Sequence, residues 1–314
     1  MRYISDLREG DITRDVYLCK SVQTLVAKTG KNYMSIVLQD KTGMLDAKVW
    51  DMTSGGIDDF EALDYIYVEG EVTVFQGTNQ LKCRRIRKCR EGEYDPSDYL
   101  PFSRFDIEQM YAKLLDYIKL VAEPHLKQLL ENMFVKDAEF IKSFKSHSAA
   151  KTVHHGFVGG LLEHTLSVTC LCNKFADQYK FLNRDLLLSA AICHDVGKIK
   201  ELTELPENDY SDEGNLLGHI VMGYEMLAAR IAEIEGFPTA LASELKHCIL
   251  AHHGELEYGS PKKPAIAEAL ALNFADNLDA KMETFRELLE TADPKAEWLG
   301  YQKLFESNMR KTTI

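Results

Sequence analysis

Apolar and β-branched residues recur with period two in five stretches of the first ninety residues, at about 15–28, 33–40, 44–50, 65–75 and 80–89. That spacing turns alternate side chains to one face and predicts strands. Ser35-Ile36-Val37-Leu38-Gln39-Asp40 meets Met44-Leu45-Asp46-Ala47-Lys48-Val49-Trp50 across Lys41-Thr42-Gly43, which reads as a hairpin. In the fourth stretch Ile66, Val68, Val72 and Val74 share a face, and Gln76-Gly77-Thr78-Asn79 turns the chain into the fifth. Between the third and fourth lies Ile57 to Leu63, of helix-compatible composition.

From Glu91 to Ser103 the alternation stops, and Asp95-Pro96-Ser97-Asp98 and Leu100-Pro101 are turn and breaker signals. Beyond them apolar positions recur at helical spacing through 104–121, 124–134, 137–147, 157–180, 184–195, 218–235, 239–253 and 264–290. Pro124, Pro238 and Pro264 stand at or near helix starts, where a missing N–H costs least. Five strands with a short helix between the third and fourth is the layout of an OB-fold. The expected architecture is therefore multidomain. An N-terminal all-β OB-fold barrel spans 1–92, a linker with connecting helices 93–150, an all-α bundle 151–290 and a C-terminal tail 291–314.

Composition narrows the class. In 314 residues, 45% are hydrophobic and 27% charged, as in ordinary globular proteins. No apolar run is long enough to span a bilayer and no basic-then-apolar leader opens the chain, so neither membrane insertion nor export is expected. Seven cysteines without framework spacing point to a reducing cytoplasm. Residues 1–90 hold 14 Lys and Arg against 13 Asp and Glu, whereas the remainder holds 23 against 36, for a net charge of -12. Two modules with different partners are implied. Within this acidic chain, Leu81 to Arg90 carries six basic residues in ten. Lys82, Arg84, Arg85, Arg87 and Lys88, with Tyr33 and Tyr67 on neighbouring strands, are candidate contacts to a single strand, since basic grooves with aromatic platforms hold such strands. Tyr65 and Phe75 lie nearby as well. The alternative is that the aromatics fill the barrel and the charges solvate an edge strand.

The densest chemistry lies later. Of ten histidines, eight follow residue 150. His164 sits among Leu161, Leu162, Leu166 and Val168; His194-Asp195 ends the apolar run Leu186 to Cys193; Asp276 ends Leu270-Ala271-Leu272-Asn273-Phe274-Ala275. His219 and His252-His253 complete the set. A single histidine on an apolar face is commonly a satisfied core residue. So many buried imidazoles and carboxylates without a shared partner would be costly. A divalent cation satisfies them together, because neutral imidazole and carboxylate suit Mn, Fe, Co or Zn. His155 is a marginal candidate beside His154, and His125, His147 and His247 read as ordinary surface or core residues. Asp279, one turn beyond Asp276, reads as a surface carboxylate or a partner to a ligand.

Two resemblances follow from these residues. Leu38-Gln39-Asp40-Lys41-Thr42-Gly43 and the strand ending in Trp50 are similar to strands two and three of OB-fold nucleic-acid-binding domains. His164, His194-Asp195 and Asp276, with Gly159-Gly160-Leu161-Leu162-Glu163-His164-Thr165 and His194-Asp195-Val196-Gly197-Lys198, resemble the signature of the HD-domain metal-dependent phosphohydrolases. The extra His219, His252 and His253 look like ligands of that family's multinuclear members. An OB-fold joined to an HD domain resembles the YhaM-type 3′→5′ exoribonucleases of Gram-positive bacteria. The resemblance implies a cytoplasmic, metal-dependent 3′→5′ exoribonuclease acting on single-stranded RNA, with single-stranded DNA left open. It implies Mn²⁺ or another of Co²⁺, Fe²⁺, Mg²⁺ and Zn²⁺, and two ions per site. His164, His194, Asp195 and Asp276 would hold the first ion and His219, His252 and His253 the second. Asp195 would bridge them, and Lys198 would meet the phosphate or stabilise transition-state charge. The helices without chemical signal, 104–147 and beyond 281, read as domain packing or as a homo-oligomer contact, and a homo-oligomer is expected. Two other readings stand: a phosphohydrolase of dNTPs, cyclic nucleotides or alarmones, and a non-catalytic OB-type binding protein with a structural metal.

Overall fold

The computed structural model describes residues 2–27, 29–151, 155–293 and 295–313. It divides into two compact units, Met1–Phe102 with Leu205–Glu207, and Ser103–Glu204 with Asn208–Ile314. In the first, β1 (Ile12–Val26), β2 (Asn32–Asp40), β3 (Gly43–Val49), β4 (Tyr65–Phe75) and β5 (Thr78–Lys88) close a barrel in the order β1-β2-β3-β5-β4. All pairs are antiparallel except β3 with β5, which run parallel. This is the OB-fold. Its interior is the period-two set: Tyr17, Ile36, Leu38, Leu45, Ala47, Val49, Ile66, Val68, Val72, Leu81 and Ile86 pack together. Val74, expected on the same face, is exposed.

The short helix expected over Ile57 to Leu63 is absent. Asp58 N–H donates to the Ile86 carbonyl and Ile86 N–H to that of Gly56, both at 2.9 Å, so β5 holds the segment extended. Leu63 then adopts φ +71°, outside helical space. Gly70 sits where β4 crosses a bulge against β5, and a Cβ there would lie 2.7 Å from the Lys82 carbonyl oxygen. Gly70→Ala is therefore expected to destabilise the barrel by about 1–3 kcal/mol, as overpacking does. Denaturant unfolding followed by the barrel's tryptophan reads this directly.

The second unit is helical. Its elements are α1 (Ile107–Leu120), α2 (Pro124–Glu131), α3 (Ala138–Ser146), α4 (Gly160–Gln178), α5 (Arg184–Cys193), α6 (Lys198–Glu201), α7 (Asp212–Ala232), α8 (Thr239–Ala251) and α9 (Ala267–Thr291). The helix expected from 157 starts only at Gly160, because Gly159 adopts φ +83°. The one expected from 218 starts at Asp212, where the Ser211 side chain accepts from Gly214 N–H, and Gly218 interrupts it at φ +73°. The final segment is not a bare tail: β6 (Trp298–Gln302) and β7 (Ser307–Arg310) form an antiparallel hairpin. At the centre lies α5. Every residue from Leu186 to Cys193 is buried, and Asn183 caps its start by accepting from Leu186 N–H. A helix without a wet face must be enclosed by others, and α4, α8 and α9 surround it.

Candidate metal centre

The enclosed α5 delivers His194 and Asp195 to the middle of the unit as it ends. His164 arrives from α4, His219 from α7, His252-His253 from the end of α8, and Asp276 with Asp279 from α9. Local backbone features aim them. Gly218 breaks α7 so that His219 N–H is free to donate to Glu201 Oε1 at 2.9 Å. Gly254 at φ +80° ends α8 after His252 and His253, and a Cβ there would lie 2.5 Å from Asn273 Nδ2, which itself donates to the His252 carbonyl.

Two groups of donor atoms result. His164 Nε2 lies 3.2 Å from His194 Nε2, 3.2 Å from Asp276 Oδ1 and 3.4 Å from Asp195 Oδ2. Ligands about 2.1 Å from one ion sit about 3 Å from each other, so these separations suit a shared cation. The imidazoles of His219, His252 and His253 form the second group, with donor atoms within 4.8 Å of one another. Asp195 stands between the groups. Its Oδ2 faces His164 and His194, while its Oδ1 lies 3.5 Å from His219 Nε2 and 3.7 Å from His252 Nε2. Asp195 Oδ1, His219 Nε2 and His252 Nε2 are all buried without a hydrogen-bond partner. Such orphaned atoms are costly unless something cationic joins them. The residues fit divalent metal.

The remaining ring nitrogens are tied down. His194 Nδ1 bonds the Ala191 carbonyl at 2.8 Å and His252 Nδ1 that of Ile249 at 2.7 Å, while His219 Nδ1 meets Glu201 Oε1 at 3.0 Å and His164 Nδ1 meets Asp279 Oδ2 at 2.7 Å. Fixing Nδ1–H leaves each Nε2 lone pair pointing at the centre. The electrostatics agree. Burial works to raise the Asp195 pKa, but Lys198, His194 and His164 hold it well below the usual range. Burial likewise opposes ionisation of Asp276 and Asp279, and neighbouring histidines overcome it. His164, despite its burial, is raised well above 6.5 by Asp195, Asp276 and Asp279, as expected of a site short of positive charge. Burial and then the nearby His253 and His194 push His252 well below 6.5, leaving its imidazole neutral.

Two sequence readings need correction. Asp279 is no surface carboxylate: it is largely buried, and Ser167 Oγ donates to it while it braces His164. Asp279→Asn is expected to weaken metal binding by about 10–100-fold, the usual effect of loosening a ligand's support; titration with Mn²⁺ at unchanged helical content measures it. Lys198, expected to meet the phosphate, is largely buried beside the donor atoms. It starts α6 with its side chain only 16% exposed and Nζ 2.9 Å from Asp195 Oδ2. The aromatics of the barrel are not its filling either: Tyr33 stacks on a half-exposed Trp50 at 4.8 Å, Tyr65 stacks on Tyr94 at 3.8 Å, and Phe75 is exposed. Of the basic run, Arg84 pairs with Glu71, Arg87 with Glu93 and Lys88 with Asp64, and Arg87 also lies over Tyr67. Among the described residues Lys82 and Arg85 make no ion pair. His155 does enter the site's surroundings, 3.4 Å from Asp279 Oδ2, whereas His154 lies outside the described residues. Glu201 was not legible as a site residue, since nothing in the sequence marks it except its place one turn after Lys198.

The HD domain family model matches residues 161–281. The 3′-5′ exoribonuclease YhaM of Bacillus velezensis is 36% identical over 286 residues, covering 91% of this chain and 90% of the relative. Its namesake from Geobacillus sp. is 37% identical over 283 residues, covering 89% and 86%, and that of Bacillus subtilis 35% identical over 287 residues, covering 91% and 90%. The chain belongs to the YhaM 3′-5′ exoribonuclease family. The match runs through both units, barrel included, so family membership does not rest on the HD domain alone. Among the described residues, no helix is long and apolar enough to cross a membrane.

Proposed function

We propose that this protein removes nucleotides from the 3′ end of single-stranded RNA at the site built around Asp195. One observation carries the reading: a buried carboxylate turns one oxygen to each of two imidazole clusters, and the second oxygen has no hydrogen-bond partner. In this reading His164, His194, Asp195 and Asp276 hold one divalent ion, His219, His252 and His253 hold another, and Asp195 bridges them. Mn²⁺ is the ion proposed, since imidazole and carboxylate donors without thiolate suit it. Such a pair supplies an activated water and charge stabilisation for in-line displacement at phosphorus.

The chain's own residues do the rest. A cleft of about 410 Å³, lined by His155, His164, Lys198, His253, Asn273, Asp276, Asn277 and Lys281 among others, leads to the donor atoms and has room for a nucleotide. Lys198 lines it and is proposed to neutralise the scissile phosphate's charge. Asn273 and Asn277, one turn apart on α9, offer amide groups to sugar or phosphate. Residues 1–92 are proposed as the strand-binding domain, through Lys82, Arg84, Arg85, Arg87, Lys88, Tyr33 and Tyr67, and residues 151–290 as the hydrolytic domain. Trp50, stacked on Tyr33, extends that aromatic platform. Single-stranded DNA is proposed as a further substrate and the cytoplasm as the compartment, where seven unpaired cysteines persist. A homo-oligomer is proposed too; light scattering at the monomer mass of 35.7 kDa would refute it.

A 5′-labelled single-stranded RNA incubated with the Mn²⁺-loaded protein is expected to give a ladder shortening from its 3′ end, abolished by chelator. RNA that stays intact while free nucleotides are hydrolysed would replace this reading with a small-nucleotide phosphohydrolase.

A further inference from the structure

The pair of clusters at Asp195 does not exhaust the buried donors of the helical unit. His155 is 3% exposed, and neither of its ring nitrogens makes a hydrogen bond. Carboxylates face it on both sides. Its Nε2 lies 3.4 Å from Asp279 Oδ2, and its Nδ1 lies 3.9 Å from Glu163 Oε1. Glu283 completes a group whose donor atoms fall within 4.8 Å of one another, and all three residues are buried.

Each tautomer of His155 leaves a difficulty. With the proton on Nε2, Asp279 is satisfied, but the Nδ1 lone pair faces the Glu163 carboxylate. With the proton on Nδ1, the Nε2 lone pair faces Asp279. Lone pair against carboxylate is repulsive at low dielectric. The two glutamates are held as ligating carboxylates usually are, by groups behind them. Ser103 Oγ donates to Glu163 Oε2 at 2.6 Å, leaving Oε1 toward His155, and Arg286 grips Glu283 through two nitrogens, Nε at 2.7 Å. A cleft of about 730 Å³, lined in part by Arg104, Lys113 and Tyr117, opens onto the group and provides a route from solvent.

We propose that His155, Glu163 and Glu283 form a third divalent-cation site, separate from the two clusters joined by Asp195. His155 binds through Nδ1 with its Nε2–H directed at Asp279. One imidazole and two carboxylates make a hard-to-borderline donor set, suited to Mn²⁺, Fe²⁺ or Zn²⁺. The coordination positions that the three side chains leave open face the cleft, where water or an anionic oxygen completes the shell. Through Asp279, which braces His164, occupancy of this site also fixes the orientation of a ligand in the first cluster.

The inference does not depend on RNA being the substrate. Its test is a metal count on the full chain, loaded with excess Mn²⁺, gel-filtered and analysed by inductively coupled plasma mass spectrometry. Glu163→Gln keeps the shape and can still accept from Ser103, so folding should survive. It is expected to carry one ion fewer per chain than wild type, as is Glu163→Gln/Glu283→Gln. Equal counts in wild type and variants would overturn the site. Anomalous diffraction from wild-type crystals grown with Mn²⁺ answers without any variant. A peak within bonding distance of His155 Nδ1 supports the site, and its absence there overturns it.

Discussion

Asp195→Asn is expected to lower 3′-end RNA hydrolysis by on the order of 10³-fold or more while helical content stays native. The size follows from what the carboxylate serves. It faces both imidazole clusters, so under the proposed two-ion reading the loss of its charge and of one acceptor oxygen would weaken both ion sites rather than one. The metal that these residues would hold would supply activation of the attacking water, so the expected loss is far larger than that of a single hydrogen bond. A second consequence separates this variant from a simple ligand deletion. Lys198 is largely buried, and its pKa, which burial pulls down, is kept high chiefly by Asp195. The asparagine leaves that ammonium without its counter-charge, which costs about 3–5 kcal/mol when a buried pair loses one partner, and less here because the lysine is partly exposed. Lys198→Met added to Asp195→Asn should recover part of this stability and none of the activity. Activity within tenfold of wild type would rule Asp195 out as the bridge.

Gly197→Ala is expected to be nearly as damaging for a different reason. A Cβ at this position would lie 2.0 Å from the His219 carbonyl oxygen and 2.6 Å from Gly223 N. Both are backbone atoms of α7, so no side-chain rotation relieves the overlap and the helix itself must shift. That shift carries His219 away from Asp195 and Glu201. The expected outcome is a loss of about 3 kcal/mol or more in stability together with weakened binding of one ion. Urea unfolding and Mn²⁺ titration of the same preparation measure the two effects. Native stability in Gly197→Ala would mean that α6 and α7 do not approach as closely as described.

Much of the site could be read along the chain because its ligands stand among apolar neighbours: His194-Asp195 follows the buried run of α5, and His164 and Asp276 interrupt apolar stretches of α4 and α9. A charged or imidazole group in such surroundings needs a partner. The supporting residues could not be read so. Asp279 is one turn from Asp276 on a helix that also carries the exposed Glu290, and only the packing of α4 against α9 reveals that it faces His164. Glu201, Glu163 and Glu283 carry no signal of their own, since a glutamate on a helix is normally solvated. In the barrel, alternation located all five strands, because period two is a direct consequence of one buried face. The mistaken helix at 57–63 shows the limit of composition: seven residues cannot hold a helix against backbone bonds offered by β5. The basic strand shows another limit. Its excess charge is plain in the sequence, but the partners Glu71, Glu93 and Asp64 that offset half of it come from β4 and the flanking loops.

The central claim is that Asp195 joins two metal ions. An anomalous difference map from crystals of the wild-type protein grown with Mn²⁺ tests it most directly. The expected result is a pair of peaks on opposite sides of the Asp195 carboxylate, about 3.5–4 Å apart as in two-metal hydrolases, one near His164, His194 and Asp276 and the other near His219, His252 and His253. A single peak, or two peaks neither of which is within bonding distance of Asp195, would contradict it.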